Sequence, residues 1–346
     1  MLAAPNPTSS NITIRTFGAP AGACWIVGTA IWAFGIISLT VGLTWIGGGL
    51  DNPLRWALAV GGVAVVGLAL VHDRRRTGRT MAAIRIERRP AAIAVIIGVV
   101  LGIAQTAPMM QLPLYFQLVL RYGPLLAVVA LAPLFGALVL AGPAAGFLLA
   151  RYSPRQLVGV GAIAVGLGNL LLALVVTPSA GYVVFVVPCF VIGAGFVVAT
   201  TVRTAIIFAS VPRGLPATAA ALNEASISVG ARIGIVLVTA IVADVALNAY
   251  TASVAGLPAA EAAQAIAAFR DVLVAVGTPS FSQVSSAVEA VNAQPYVEAY
   301  ASGVRAALAV GGLTAVVGGF VAWLALGRRD PLGTVYEHRD ERGAAA

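Results

Sequence analysis

Lysine is absent, cysteine and histidine occur twice each, and charged side chains make up only 10% of the 346 residues. Each shortage excludes something. An ordinary soluble domain carries about 25% charged residues. With 60% hydrophobic residues, no fold with a water-facing surface hides so much apolar side chain. Cys24 and Cys189 both fall in apolar runs, so a disulfide framework is not indicated. His72 and His338 have no cysteine near them in sequence, which removes the usual metal-ligand cluster. A nucleophile–base pair and a phosphate-cradling loop are missing as well. An enzyme needs such a constellation, so the sequence argues against a membrane-embedded hydrolase or transferase, and it implies no cofactor. The net charge of +8 rests on arginines placed in short loops between apolar runs. There is no basic, aromatic-interleaved soluble region, so nucleic acid is not the expected partner.

What is present is a succession of long apolar runs. In a bilayer every backbone polar group must be satisfied internally, which leaves helices or closed barrels. The runs are about 20 residues long and do not alternate in polarity, which suits helices crossing roughly 30 Å. The pattern predicts an all-α integral membrane protein of about eight transmembrane helices, near 22–46, 55–72, 91–118, 124–150, 157–177, 182–207, 217–244 and 303–326. Breakers mark the joints: Asn52-Pro53, Tyr122-Gly123-Pro124, Ser153-Pro154, Thr177-Pro178 and Pro212-Arg213-Gly214.

Arginine also fixes the expected orientation. Fifteen arginines, seven of them between residues 73 and 90, fall on one side of these spans, and four (Arg55, Arg121, Arg270 and Arg305) fall on the other. The rich side reads as cytoplasmic in a cell membrane, and an even number of spans puts both tails there, residues 1–21 and 327–346. The Arg-rich stretch 73–90 divides the chain into two linker spans, 22–72, and six further spans, 91–326. Between the last two spans lies a long outer segment, 245–302. Ala259 to Val276 and Ser285 to Ala301 read as helices there, the second interrupted at Pro295. The segment is expected to cap the outer face as a helical hairpin, the alternative being a lid over substrate or partner.

Ionisable residues inside spans are costly, at least about 2.5–3.5 kcal/mol at the bilayer centre, and are functional candidates by default. The richest stretch runs from Asn223 to Arg232. Glu224 lies eight residues beyond Pro216, about 12 Å along a helix, and Arg232 lies eight residues further. Ser228 sits between them at the spacing that keeps neighbours on one face. A carboxyl at this depth is a usable proton carrier, because leaving water disfavours its charged form. Ionised, it attracts cations. The structural alternative is a Glu224–Arg203 salt bridge between adjacent spans, since Arg203 sits at comparable depth. Gln105, Gln111, Gln117 and Asn169 are further polar residues in spans. Each can be an interhelical hydrogen bond or a substrate contact.

Several stretches together are similar to one family. Gln111-Leu112-Pro113-Leu114-Tyr115-Phe116-Gln117, Gly123-Pro124-Leu125 followed by Ala132-Pro133-Leu134, and Gly146 with Arg151 and Arg155 occur in order. Then come Pro212-Arg213-Gly214, Ala220 through Ser226 with Asn223 and Glu224, Gly230, and Ile233-Gly234. This resembles the C-terminal portion of fourteen-span drug:proton antiporters of the major facilitator superfamily, in the branch of quaternary-ammonium and multidrug exporters. The likeness matches that family's spans seven to fourteen, meaning two linker spans plus one six-helix bundle, and leaves its N-terminal bundle unmatched. Gly146, Arg151 and Arg155 resemble a second, degenerate copy of the family's cytoplasmic loop motif, with Ala150 where the motif has Asp. Glu224 matches the first of two acids in span thirteen, and Ser228 stands in place of the second.

The resemblance implies proton-coupled efflux of small lipophilic or cationic drug-like compounds. Alternating access needs two bundles around a midplane site, so a second bundle is expected as partner, encoded separately or supplied by a second copy of this chain. In this reading Glu224 responds to protons, Arg232 and Arg203 tune it, and Gln105, Gln117, Asn223 and Ser228 line the cleft. The rival expectation is a non-transporting membrane scaffold, or a truncated remnant acting on a full-length relative.

Overall fold

In the computed structural model the described residues are 61, 64–65, 88–211, 216–277 and 293–326. They are all-helical. The helices are α1 (Arg88–Leu118), α2 (Pro124–Val129), α3 (Ala132–Leu149), α4 (Pro154–Val175), α5 (Val183–Ser210), α6 (Pro216–Ser253), α7 (Ala259–Gly277) and α8 (Ala293–Ala325). Six candidate spans are long and apolar enough to cross a membrane, with α2 and α3 making one of them and mean hydropathies between 1.9 and 2.5. Apart from positions 61, 64 and 65, the expected linker spans 22–46 and 55–72 lie outside the described residues. So do both tails and nearly all of the stretch 73–90.

Local chemistry explains the ends. Pro124, Pro133 and Pro154 each stand in the first turn of their helix, where the missing N–H costs nothing and φ is already set. At α4 the start is reinforced by a capping box: Ser153 accepts from the Gln156 N–H, and the Gln156 side chain accepts from the Ser153 N–H. Pro133 also divides the expected span 124–150, because the turn at Ala130–Leu131 separates α2 from α3. By contrast, Pro108 and Pro113 in α1, Pro143 in α3 and Pro188 in α5 lie inside continuous helices. Neighbouring helices in a membrane bundle can take up backbone groups that proline frees.

The helices pack in the order α3, α5, α4, α8, with α1 held among α5, α8 and α6, and α6 also against α8. Lipid tails are as apolar as leucine, so close backbone approach replaces the hydrophobic effect as the cement. The seam of α4 with α8 shows this. Gly159 meets Gly319, and seven residues along Gly166 meets Gly312. A Cβ on Gly166 would lie 2.6 Å from the Gly312 carbonyl oxygen and 2.7 Å from the Val316 nitrogen. Both are backbone atoms that cannot step aside. Gly166→Leu is therefore expected to destabilise the bundle by about 1–3 kcal/mol or more. A thermal melt of the detergent-solubilised protein would register the loss, and an unchanged midpoint would refute this account of the seam.

The outer segment differs in part from expectation. Helix α6 continues past the apolar run to Ser253, and α8 begins at Ala293, ten residues before the expected span. Pro295 thus falls in the first turn of α8 and interrupts nothing. Of the expected second helix of the hairpin, residues 293–301 belong to the start of this last span, and residues 278–292 lie outside the described set. Helix α7 docks by its apolar side. Phe269 stacks on Tyr250 of α6 at 4.3 Å between centroids and meets the edge of Tyr296 of α8 at 5.3 Å. Glu261, Arg270 and Asp271 on α7 are exposed.

A buried arginine node and an outward polar stripe

Arg203 of α5 is fully buried and is among the largest side chains that are. Its Nη1 donates to the Ser226 Oγ of α6 at 2.6 Å, and Nη1 and Nη2 both donate to the Asn223 carbonyl at 3.4 and 3.3 Å. Ser226 Oγ donates in turn to the same carbonyl at 2.8 Å, and Thr204 Oγ1 donates to Asn223 Oδ1 at 2.9 Å. The Arg203 Nε has no hydrogen-bond partner among the described residues. The third wall is α1. A Cβ on Gly98 would run into both Ser226 Oγ and Arg203 Nη1, so a hydrogen at this position is what lets the guanidinium lie between three helices. The bonds are charge-assisted, but every acceptor is neutral. A buried charge with no carboxylate in contact costs several kcal/mol, and Glu224 acts on this one only from a distance, which makes this node a site of stored electrostatic tension.

The expected Glu224–Arg203 ion pair does not form. Successive residues of an α-helix point about 100° apart, because 3.6 residues complete a turn. With Asn223 and Ser226 turned toward Arg203, Glu224 faces away from the bundle and is exposed. Ser228 Oγ donates to Glu224 Oε1 at 3.4 Å. Ser228 and Arg232 are exposed too. The three form a polar stripe on the outer face of α6, at i, i+4 and i+8. The opposite face of α6 carries Ser226, Gly230 and Gly234, which press on α1, where Gly230 meets Val99 and Gly234 meets Ile103 and Thr106.

The other expected site residues divide. Gln105 lies seven residues beyond Gly98 on α1, about 10 Å, on the same face, half-buried, with a buried Oε1 that has no hydrogen-bond partner among the described residues. Gln117 is nineteen residues beyond Gly98, about 28 Å, and its Nε2 donates to the Pro113 carbonyl of its own helix at 3.2 Å. The structure therefore places Gln117 at the far end of α1 and does not bring it to the arginine node. Gly146 is exposed with open space where a Cβ would go. Arg151 lies over the Phe147 ring at 4.4 Å, and half-buried Arg155 has an unpartnered, buried Nε. These three belong to the α3–α4 connection, a separate region from the node.

Two participants were not singled out from the sequence, and a third had two readings there. Gly98 reads in sequence as one more small packing residue. Ser226 sits among candidates without carrying charge. Gln111 accepts from the Tyr300 hydroxyl at 2.9 Å, both side chains buried, which resolves it as an interhelical bond between α1 and α8.

A family model described as Major Facilitator Superfamily matches residues 8–235, more than half of the chain. No curated protein matches.

Proposed function

Since the chain belongs to the Major Facilitator Superfamily, a family of multi-pass membrane transporters, we propose that it forms one wall of a proton-coupled exporter of small lipophilic or cationic compounds, completed by a second bundle. The observation that carries this reading is the stripe Glu224–Ser228–Arg232 on the outside of α6. An ionised side chain facing lipid near the bilayer centre costs at least about 2.5–3.5 kcal/mol. Two such residues on one outward face make sense where that face borders a second bundle or a water-filled cleft. The α2–α3 span, at the other edge of the bundle, is as sparsely buried as α6, which supports a second bundle reaching across α3, α5, α1 and α6.

In this proposal the carboxyl of Glu224 exchanges a proton with the cleft and, when ionised, attracts a cationic substrate. Arg203 and Asn223 join α5 to α6 behind it, and Gln105 offers a free acceptor deeper in. The bundle sits in the plasma membrane with its Arg-rich end and both tails cytoplasmic. The test is energised efflux of a fluorescent lipophilic cation from cells lacking their own exporters. The chain is expressed alone and together with a six-span N-terminal bundle of the same superfamily. Efflux only on co-expression, abolished by collapsing the proton gradient, is the expected result. Efflux insensitive to the gradient would remove proton coupling. Inserted protein without efflux in either arm would favour a scaffold.

A further inference from the structure

Away from α6, a groove of about 550 Å³ opens between α3, α4 and α5, with Trp323 of α8 at one side. That volume lies within the usual range of small-ligand sites, about 300–1,000 Å³. Its origin is geometric. Gly161 and Gly195 bring the α4 and α5 backbones into contact, a Cβ on either falling within 2.9 Å of the other helix's backbone. Helix α3 packs on α5 and only marginally on α4. A wedge is left between α3 and α4, floored by the two glycines and walled by Leu148, Val160, Ala194 and Val198. It runs from Gln156 to Ala164, about 12 Å along α4. Polar groups gather only at the end nearest the α3–α4 connection: Tyr152 and Gln156 line it. Beside them in sequence stand exposed Arg151 and half-buried Arg155, whose buried Nε has no partner among the described residues.

We propose that this groove holds one acyl chain of an anionic phospholipid, with its phosphate taken up by Arg155 and Arg151. The shape is that of an amphiphile, an apolar slot whose polar end, at Tyr152 and Gln156, stands beside two arginines in sequence. Tyr152 and Trp323 supply the aromatic pair that favours the headgroup level. Basic pockets between spans at the cytoplasmic side take anionic headgroups. The bilayer presents such a ligand at this depth continuously, and exposed Arg151, next to Tyr152 in sequence, is open to its phosphate.

Trp323 makes the site directly readable. In vesicles of phosphatidylcholine, a variant retaining Trp323 and carrying phenylalanine at Trp25, Trp32, Trp45 and Trp56 is titrated with acyl-brominated phosphatidylglycerol or acyl-brominated phosphatidylcholine. The brominated phosphatidylglycerol is expected to quench Trp323 well beyond its mole fraction, with a preference of roughly fivefold for each arginine engaged. In Arg151→Gln/Arg155→Gln the preference should vanish while quenching by brominated phosphatidylcholine persists. If the four-phenylalanine variant does not fold, the difference between the parent and Trp323→Phe gives the same signal. Equal quenching by the two lipids in the parent would overturn the proposal. So would a phosphatidylglycerol preference that survives loss of both arginines. Displacement of the quencher by a lipophilic cation at equal efficiency would assign the groove to substrate instead.

Discussion

Glu224→Gln is expected to lower gradient-driven efflux by the two-bundle assembly at least about a hundredfold, the scale on which loss of a proton-transferring group is felt. Insertion and melting midpoint should stay at parental values. The two halves of this expectation rest on different facts. The carboxyl makes one long contact, with Ser228 Oγ at 3.4 Å, and glutamine keeps an acceptor oxygen there. Exposed substitutions of this kind usually change stability by no more than about 0.5 kcal/mol. The amide cannot, however, take up and release a proton. Glu224→Asp, which retains the titrating group one methylene shorter, should restore part of the efflux. Should Glu224→Gln retain full gradient-dependent efflux, Glu224 leaves the mechanism. Should it fail to insert, the stripe is structural. The neighbouring Arg232→Gln separates coupling from attraction. With no cation on the stripe to repel a cationic substrate, the half-saturating substrate concentration should fall while gradient dependence and the maximum rate are retained.

How much of this was legible in the letters depends on what each signal measures. Hydropathy reports where the chain meets lipid, and it placed α4 and α5 within three residues at either end: 157–177 against Pro154–Val175, and 182–207 against Val183–Ser210. It could not end α6, because the helix continues beyond the bilayer to Ser253 on ordinary helix-forming residues. Nor could it show that Pro295 opens a helix rather than interrupting one. At the site, the depth of Arg203 and of the 223–232 stretch was legible from counting residues off the flanking prolines. Rotation was not. A rise of 1.5 Å per residue fixes height, but the phase of α6 about its own axis is set by Gly230 and Gly234 meeting α1. That phase sends Ser226 inward to the arginine and Glu224 out. A salt bridge between two residues of similar depth was thus a reasonable expectation from height alone, and it fails on a turn of the helix. The glycine at position 98 is the other half of the same lesson. Its function is to have no side chain, which a single sequence does not display.

The arginine node yields the sharpest separation of stability from activity. Arg203→Met is expected to melt at the parental temperature or above it, while efflux by the completed assembly is lost. Arg203→Ala should be destabilised by about 2–5 kcal/mol, as large-to-small core changes are. The reasoning is electrostatic. A guanidinium between three helices, with a serine hydroxyl and a peptide carbonyl as its acceptors and Nε unmatched among the described residues, has surrendered its hydration with no carboxylate hydrogen-bonded to it and only the distant charge of Glu224 to offset the loss. Replacing a buried charge by an apolar side chain of similar volume is often neutral or stabilising. Methionine fills the space, and Ser226 Oγ keeps its own bond to the Asn223 carbonyl, so no new polar atom is stranded. Arg203→Lys tests geometry rather than charge. A single ammonium lacks the planar fork that spans Ser226 Oγ and the Asn223 carbonyl together, so the variant should be less stable than Arg203→Met despite conserving charge. If Arg203→Met melts as low as Arg203→Ala, the guanidinium is a net structural clamp and the tension ascribed to it is absent. If it melts normally and transports normally, the node has no part in coupling. The expected combination, a stable bundle that no longer exports, would mean that the chain tolerates an unfavourable buried charge for what that charge does to the α5–α6 contact behind Glu224.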